Sequence, residues 1–202
     1  PNGSDVTGLI PLSVDYIYKT IQNTERKYNI SVSYIEIYNE HVNDLIEPSN
    51  KNLDVRESIG QGIYINKLSE KKVANFAEVM GYMQKGDECR NIAATKLNEL
   101  SSRSHTVFRI NISSEENGKI KISQLNLVDL AGSEGASKTQ AEGIRLREGK
   151  NINKSLLALS NVINKLSQGS NQFINYRDSK LTRILQPSLG GNSQTAIICT
   201  MT

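Results

Sequence analysis

Two short segments of this 202-residue chain carry residue types that could do phosphate chemistry. The first is L-N-L-V-D-L-A-G-S-E, Leu125 to Glu134. An apolar run ending in Asp129 delivers a carboxylate to the end of a strand, where it can hold a magnesium ion, usually through water. Gly132, three residues on, leaves room for a backbone N–H to approach a terminal phosphate. The second segment is N-E-L-S-S-R-S-H, Asn98 to His105. Its hydroxyls can ligate magnesium or place a water, and its guanidinium can clamp a carboxylate or phosphate with two parallel hydrogen bonds. Singly, both have plainer explanations. Asp and Gly are common where a strand enters a turn, and a polar loop can owe its Ser and Asn to local capping. A lone His105 is more often a structural histidine than a catalyst.

The elements that must position these segments follow from periodicity. Strands are predicted over His105–Ile112 and Lys119–Asp129, joined by the turn residues Asn117-Gly118. Upstream, Gly8 and Pro11 introduce a helix through Ile21. Ile30 to Tyr38 alternates as a strand does, with Val32, Tyr34 and Glu36 on one face and Ser31, Ser33, Ile35 and Ile37 on the other. Short strands at Leu53–Glu57 and Gly62–Ile65 are separated by a turn at Gly60. Asn75 to Asn91 has a helical stripe of Phe76, Val79, Met80 and Met83, with Asn75 as its cap. Downstream, a Gly-rich charged loop is expected from Gly132 to Gly149. A helix follows in which Ile152, Leu156, Leu159, Ile163 and Leu166 recur at three- and four-residue steps. Ser179 to Leu185 forms a shorter helix stopped by Pro187, and Thr195–Met201 a buried strand after the Gly190-Gly191 turn. Strands interleaved with helices give an α/β layer architecture.

Composition is that of a single globular domain with a sizeable core. No apolar run approaches membrane-spanning length, and no signal-peptide pattern opens the chain. Cys89 and Cys199 lack metal-ligand spacing and are ordinary thiols. The net charge is +3, but it is unevenly spread. From Gly135 to Thr202 nine basic residues face three acidic ones, a balance of +6 that leaves −3 for residues 1–134. Such a bias can be a solvated face, or it can steer an acidic partner, either nucleic acid or an acidic protein surface.

In combination the two segments resemble the γ-phosphate sensors of the kinesin motor domain: N-E-L-S-S-R-S-H its switch I, and D-L-A-G-S-E its switch II. Four further runs resemble kinesin motifs in kinesin order. They are S-Y-I-E-I-Y-N-E (Ser33–Glu40), K-N-I-N-K-S-L (Lys150–Leu156), Y-R-D-S-K-L-T-R-I-L (Tyr176–Leu185) and S-L-G-G-N-S-Q-T (Ser188–Thr195). Phe173–Gln186 and His105–Arg109 are most similar to the centromere-associated, CENP-E-like (kinesin-7) branch. Gly135, Leu12 and Ser160 depart from residues common in the family, and none falls on the phosphate sensors.

The resemblance implies a P-loop nucleotidase layer fold, a central mixed sheet with helices on both faces, and a microtubule motor that binds ATP or ADP with Mg²⁺. It implies that Ser102 and Asp129 hold the metal, Asp129 through water. Asn98, Ser101 and Gly132 would contact nucleotide, and Arg103 and Glu134 would form an ion pair that closes on ATP, with Glu134 accepting the proton. The helix beginning near Asn151 and the Y-R-D-S-K-L-T-R segment would face the track through Lys138, Lys150, Tyr176, Arg177, Lys180 and Arg183. Tubulin, an acidic partner, would explain the +6 segment without nucleic acid or membrane. Aromatic residues are sparse among these bases, Phe173 and Tyr176 alone, which weighs against single-stranded nucleic acid. Dimerisation would come from a coiled coil outside this chain, and the location would be the cytoskeleton of the cytoplasm, with spindle or kinetochore in view.

The sequence contains no G-x-x-x-x-G-K-[ST] phosphate loop. Gly143–Asn151 has one residue too many between its glycines and no hydroxyl. The expectation is that residues 1–202 are the central and C-terminal part of the motor domain, with the phosphate loop and the central strand of the sheet upstream. On that expectation the complete motor domain is a microtubule-stimulated ATPase and this chain alone is inactive. The rival is a tubulin-binding module without turnover. A Ras-like GTPase shares D-x-x-G but would need an N-K-x-D base-reading motif, which is absent.

Overall fold

The sheet is built on one long strand, β1 (Lys27–Tyr38), whose alternation of β-branched and aromatic residues lets it be covered on both faces. Ile30, Val32 and Tyr34 are buried on one side, Ile35 and Ile37 on the other. The computed structural model describes residues 8–60, 62–95, 103–132, 144–169 and 173–199. β2 (His41–Asp44) folds back on β1, and β5 (Lys71–Val73) pairs with the other end of β1. The opposite edge of β1 pairs with β6 (His105–Glu116) from Lys27↔Glu115 to Ile37↔His105, and β6 pairs with β7 (Lys119–Asp129). The order is β2-β1-β6-β7, and every pairing among the described residues is antiparallel. A separate hairpin joins β3 (Val55–Ser58) to β4 (Gly62–Ile65).

Helices cover both faces. On one, α1 (Leu9–Gln22) and α2 (Phe76–Thr95) bring Val14 and Val79 into a core with Ile30, Val32, Tyr34, Phe108 and Ile110. On the other, α3 (Ile144–Ser167), α4 (Lys180–Gly190) and the β3–β4 hairpin contribute Leu159, Leu181, Ile184, Leu185 and Ile65 against Ile35, Ile37 and Val107. Each large side chain so buried contributes about 1.5–3 kcal/mol. The predicted Asn75 cap holds, and Ser179 caps α4 in the same way. Asn75 Oδ1 accepts from Glu78 N at 2.9 Å, and Ser179 Oγ accepts from Leu181 N at 3.0 Å.

α2 approaches β1 closely because Gly86 has no side chain. A Cβ there would lie 2.3 Å from Tyr34 Cδ1. Tyr34 cannot give way easily. Its hydroxyl donates to Asp87 Oδ1 at 2.8 Å, and its ring meets Phe108 edge to face at 5.2 Å.

Three expectations are corrected. α3 begins at Ile144, not near Asn151, so the end of the expected Gly-rich loop is helical. Gly149 costs about 1 kcal/mol inside a helix and does not by itself end one. α4 runs through Pro187 to Gly190 rather than stopping at it. Proline's fixed φ suits a helix, and the last carbonyls find partners one turn later. Ser193 Oγ donates to Pro187 O at 2.7 Å and Thr195 Oγ1 to Ser188 O at 2.5 Å. Residues 195–199 are not a buried strand: they have no ladder partner among the described residues, and Ile197 and Ile198 are 61% and 72% exposed. β7 is likewise half open, pairing only with β6 among the described residues and leaving Ile120 and Ile122 in solvent.

Candidate functional site

The β6–β7 hairpin assembles the site. Asn117 and Gly118 both take positive φ, 51° and 73°, as a two-residue hairpin turn of this hand requires. That turn fixes the register Thr106↔Asp129. Residues 103–106 therefore lie beside residues 129–132 at one end of the sheet.

Asp129 ends β7 with its side chain 70% exposed, on the α2 face. Arg90, only 12% exposed, places Nη1 3.4 Å from Asp129 Oδ2. Its Nη2 donates to the Ser104 carbonyl at 3.3 Å and to Ser104 Oγ at 3.4 Å. One guanidinium thus ties α2 to both chemistry-bearing segments. Sequence reasoning missed Arg90. A signal existed: Arg90 continues the Val79, Met83, Gly86 stripe at helical spacing, and a charge on a core-facing stripe calls for a polar partner.

The donor set at Asp129 suits a hard cation. Its carboxylate is solvent-accessible, at a strand end, and the ion pair with Arg90 orients it. Among the described residues no group of three His, Cys, Asp or Glu side chains gathers. A magnesium ion here would keep most of its water, as that ion commonly does. Gly132 follows as a half-buried residue with no side chain to block an approaching phosphate. Arg103 is half-buried and lines a small gap with Asn39, Glu40, His105 and Ser155. Asn98, Ser101, Ser102, Glu134 and Lys138 lie outside the described residues, and Lys150 is described by its α3 backbone alone.

His105 lies on the other face of the sheet from Asp129 and is 2% exposed. The Ala131 N–H donates to its Nδ1 at 2.9 Å, and its Nε2 meets Ser155 Oγ on α3 at 2.7 Å. Burial pushes its pKa from 6.5 down to about 4, against a smaller upward pull from Asp129. It is a neutral, hydrogen-bonded histidine.

The predicted basic face gathers around α4. Glu40, on the β1–β2 turn, accepts from the Lys180 backbone N–H at 3.0 Å and so anchors the start of the helix. Arg177 is 78% exposed, whereas Arg183 is 13% exposed and donates to Glu57 Oε2 of β3 at 2.6 Å. Arg183 beside it holds the Glu57 carboxyl below the usual range, with a smaller pull from Arg177. The Tyr176 hydroxyl packs over Gly190, where a Cβ would come within 2.2 Å. Arg177, Lys180 and Arg183 line an open cavity of about 600 Å³ with Lys154 and Arg56, opposite Glu40, Glu57 and Asp178. The structure therefore brings four of the predicted track residues together, but three of them are engaged, Tyr176 in packing and Arg183 and, more loosely, Arg177 in ion pairs with Glu57.

The kinesin motor domain sequence profile matches residues 2–202. The chain is 51% identical over 205 residues to Kinesin-related protein 4 of Dictyostelium discoideum, covering 98% of this chain and 11% of that protein. It is 49% identical over 209 residues to Kinesin-like protein KIN-7I of Oryza sativa subsp. japonica, covering 96% and 17%. Human Centromere-associated protein E is 47% identical over 209 residues, covering 98% and 8%. A solved structure of a fast kinesin, described for its ATPase mechanism and interactions with microtubules, superposes with a TM-score of 0.86 at 48% identity, over 95% of this chain and 55% of that one. The chain thus spans a small part of these curated relatives and just over half of the solved motor.

Proposed function

The chain belongs to the kinesin motor-domain family, and from that premise we propose that residues 1–202 are the phosphate-sensing and track-binding part of an ATP-driven microtubule motor. The observation that carries this reading is the β6–β7 register. It sets Arg103–His105 beside Asp129–Gly132, and α3 is the next described element along the chain. Phosphoryl transfer asks a protein for positioning and charge stabilisation more than for covalent chemistry. These two loops can respond together to one phosphate.

In this reading Asp129 and Ser102 hold Mg²⁺, which when bound neutralises charge on the β- and γ-phosphates. Arg90 keeps the Asp129 carboxylate aimed. The Gly132 N–H senses the γ-phosphate, with Asn98 and Ser101 beside it. Arg103 and Glu134 pair on closure, and Glu134 takes the proton from the attacking water, directly or through a second water. Closure acts on α3 because that helix follows the loop. Lys138, Lys150, Arg177 and Lys180 meet an acidic tubulin surface, while Arg183 with Glu57 keeps the β3–β4 hairpin and α4 in fixed relation. The location that follows is the cytoskeleton. The likeness to Centromere-associated protein E makes the spindle and kinetochore the first places to look.

The test is nucleotide binding followed with a fluorescent ATP analogue and magnesium, on residues 1–202 and on a motor domain that also carries a phosphate-binding loop. Tight binding and turnover are expected only of the latter. Turnover by residues 1–202 alone would overturn the claim that the loop lies outside them. Tubulin binding without turnover by both would favour the inactive binding module.

A further inference from the structure

We propose that His105 is a positioning residue that couples the phosphate-sensing end of β7 to helix α3, through a hydrogen-bond chain running Ala131, His105, Ser155, Ile152. The inference rests on the functional reading above and names a part for a side chain that reading leaves unused. The geometry fixes the direction of every link. The Ala131 N–H can only donate, so Nδ1, at 2.9 Å, is the acceptor and carries no proton. The ring proton is then on Nε2, which donates to Ser155 Oγ at 2.7 Å. Ser155 Oγ donates in turn to the Ile152 carbonyl at 2.8 Å, on the preceding turn of α3. Both ring nitrogens are used, and the tautomer is set.

Burial makes the chain a linkage and not merely a set of contacts. Ala131, His105 and Ser155 are 5%, 2% and 2% exposed. Water does not reach them to replace a bond that opens, and a buried donor left unpaired is costly. The backbone of His105 is itself held in the β1 ladder opposite Ile37. A shift of Ala131 must therefore carry the ring with it or leave buried groups unpaired. Ala131 adjoins Gly132, the proposed phosphate sensor. Ser155 adjoins Lys154, which lines the basic cavity with Lys180. The two ends of the chain are the two sites a motor must connect. Direct chain continuity from β7 to α3 passes through residues 133–143, whereas this route crosses from β7 to α3 through a single side chain.

The experiment uses the complete motor domain, with ATP turnover measured with and without microtubules. Ser155→Ala removes the acceptor on α3, and Ser155 is not itself placed at nucleotide or track. It is expected to lower microtubule-stimulated kcat about tenfold, within the range of coupling between two sites, with basal turnover within about threefold of the parent. Ser155→Thr keeps the hydroxyl and is expected to restore stimulation. Stimulation of Ser155→Ala equal to the parent overturns the proposal. So does a proportional loss of basal and stimulated turnover that Ser155→Thr does not rescue. A second measurement needs no variant. In ¹⁵N-histidine spectra, His105 should show a protonated Nε2 whose signal moves between ADP and a non-hydrolysable ATP analogue. An Nδ1-protonated ring, or an Nε2 signal indifferent to nucleotide, overturns the coupling. A parent motor with no response to microtubules would refute the functional reading, while the spectra would still decide the linkage.

Discussion

Replacing His105 by Asn should make the fold less sensitive to mild acid. Folded His105 takes up a proton only near pH 4, whereas in the unfolded chain it does so near 6.5. Between those values the unfolded state binds the extra proton, so falling pH favours unfolding. The contribution is fully present above about pH 6.5 and is lost as pH falls toward about 4. Applying the two pKa values to a step from about pH 7 to about pH 5 gives a loss of about 2 kcal/mol from this one group. Asparagine offers an acceptor near the Nδ1 position for the Ala131 N–H and does not titrate. Urea unfolding followed by circular dichroism, at both pH values and for both proteins, isolates the contribution as a difference of differences. The parent should lose about 2 kcal/mol more than His105→Asn over that step. Equal losses, or a His105 ring that titrates near its ordinary value by NMR, would refute the buried neutral ring on which the linkage depends.

Other consequences are simpler to check. Gly86→Ala puts a methyl 2.3 Å from Tyr34, and thermal melting should show a loss of about 1–3 kcal/mol despite alanine's better helix propensity. Lys180→Glu should weaken microtubule co-sedimentation at unchanged melting temperature, whereas Arg183→Glu should also lower the melting temperature, because it repels Glu57 across the hairpin contact. Arg90→Ala should raise the magnesium needed for half-maximal turnover by about ten- to a hundredfold, the usual effect of removing a group that orients a metal carboxylate.

Much of this site was legible in the sequence because its assembly is local. Asn117-Gly118 predicts a two-residue hairpin, and counting outward from it pairs Thr106 with Asp129, the register the two strands adopt. The strand alternation of β1 and the Asn75 cap are local in the same sense. What escaped was long-range. Arg90 meets Asp129 across 39 residues, and His105 meets Ser155 across 50. Nothing in either stretch alone specifies the other. The same limit explains Arg183. Its basic charge in Y-R-D-S-K-L-T-R points outward to a partner, and only the fold reveals that Glu57 of β3 has already engaged it. The boundaries of α3 and α4 differ for another reason: Gly149 and Pro187 read as helix ends in the sequence, whereas helices packed through Leu159, Leu181 and Leu185 continue across them.

The central claim, that this segment senses ATP phosphates at one end of its sheet and binds a track through α3 and α4, meets its most direct test in one assay. That assay is steady-state ATP turnover by the complete motor domain over a range of microtubule concentrations. The account predicts slow turnover without microtubules and a saturable rise with them, weakened by Lys180→Glu at unchanged basal rate. Turnover that ignores microtubules, or that falls with Lys180→Glu in their absence, would contradict it.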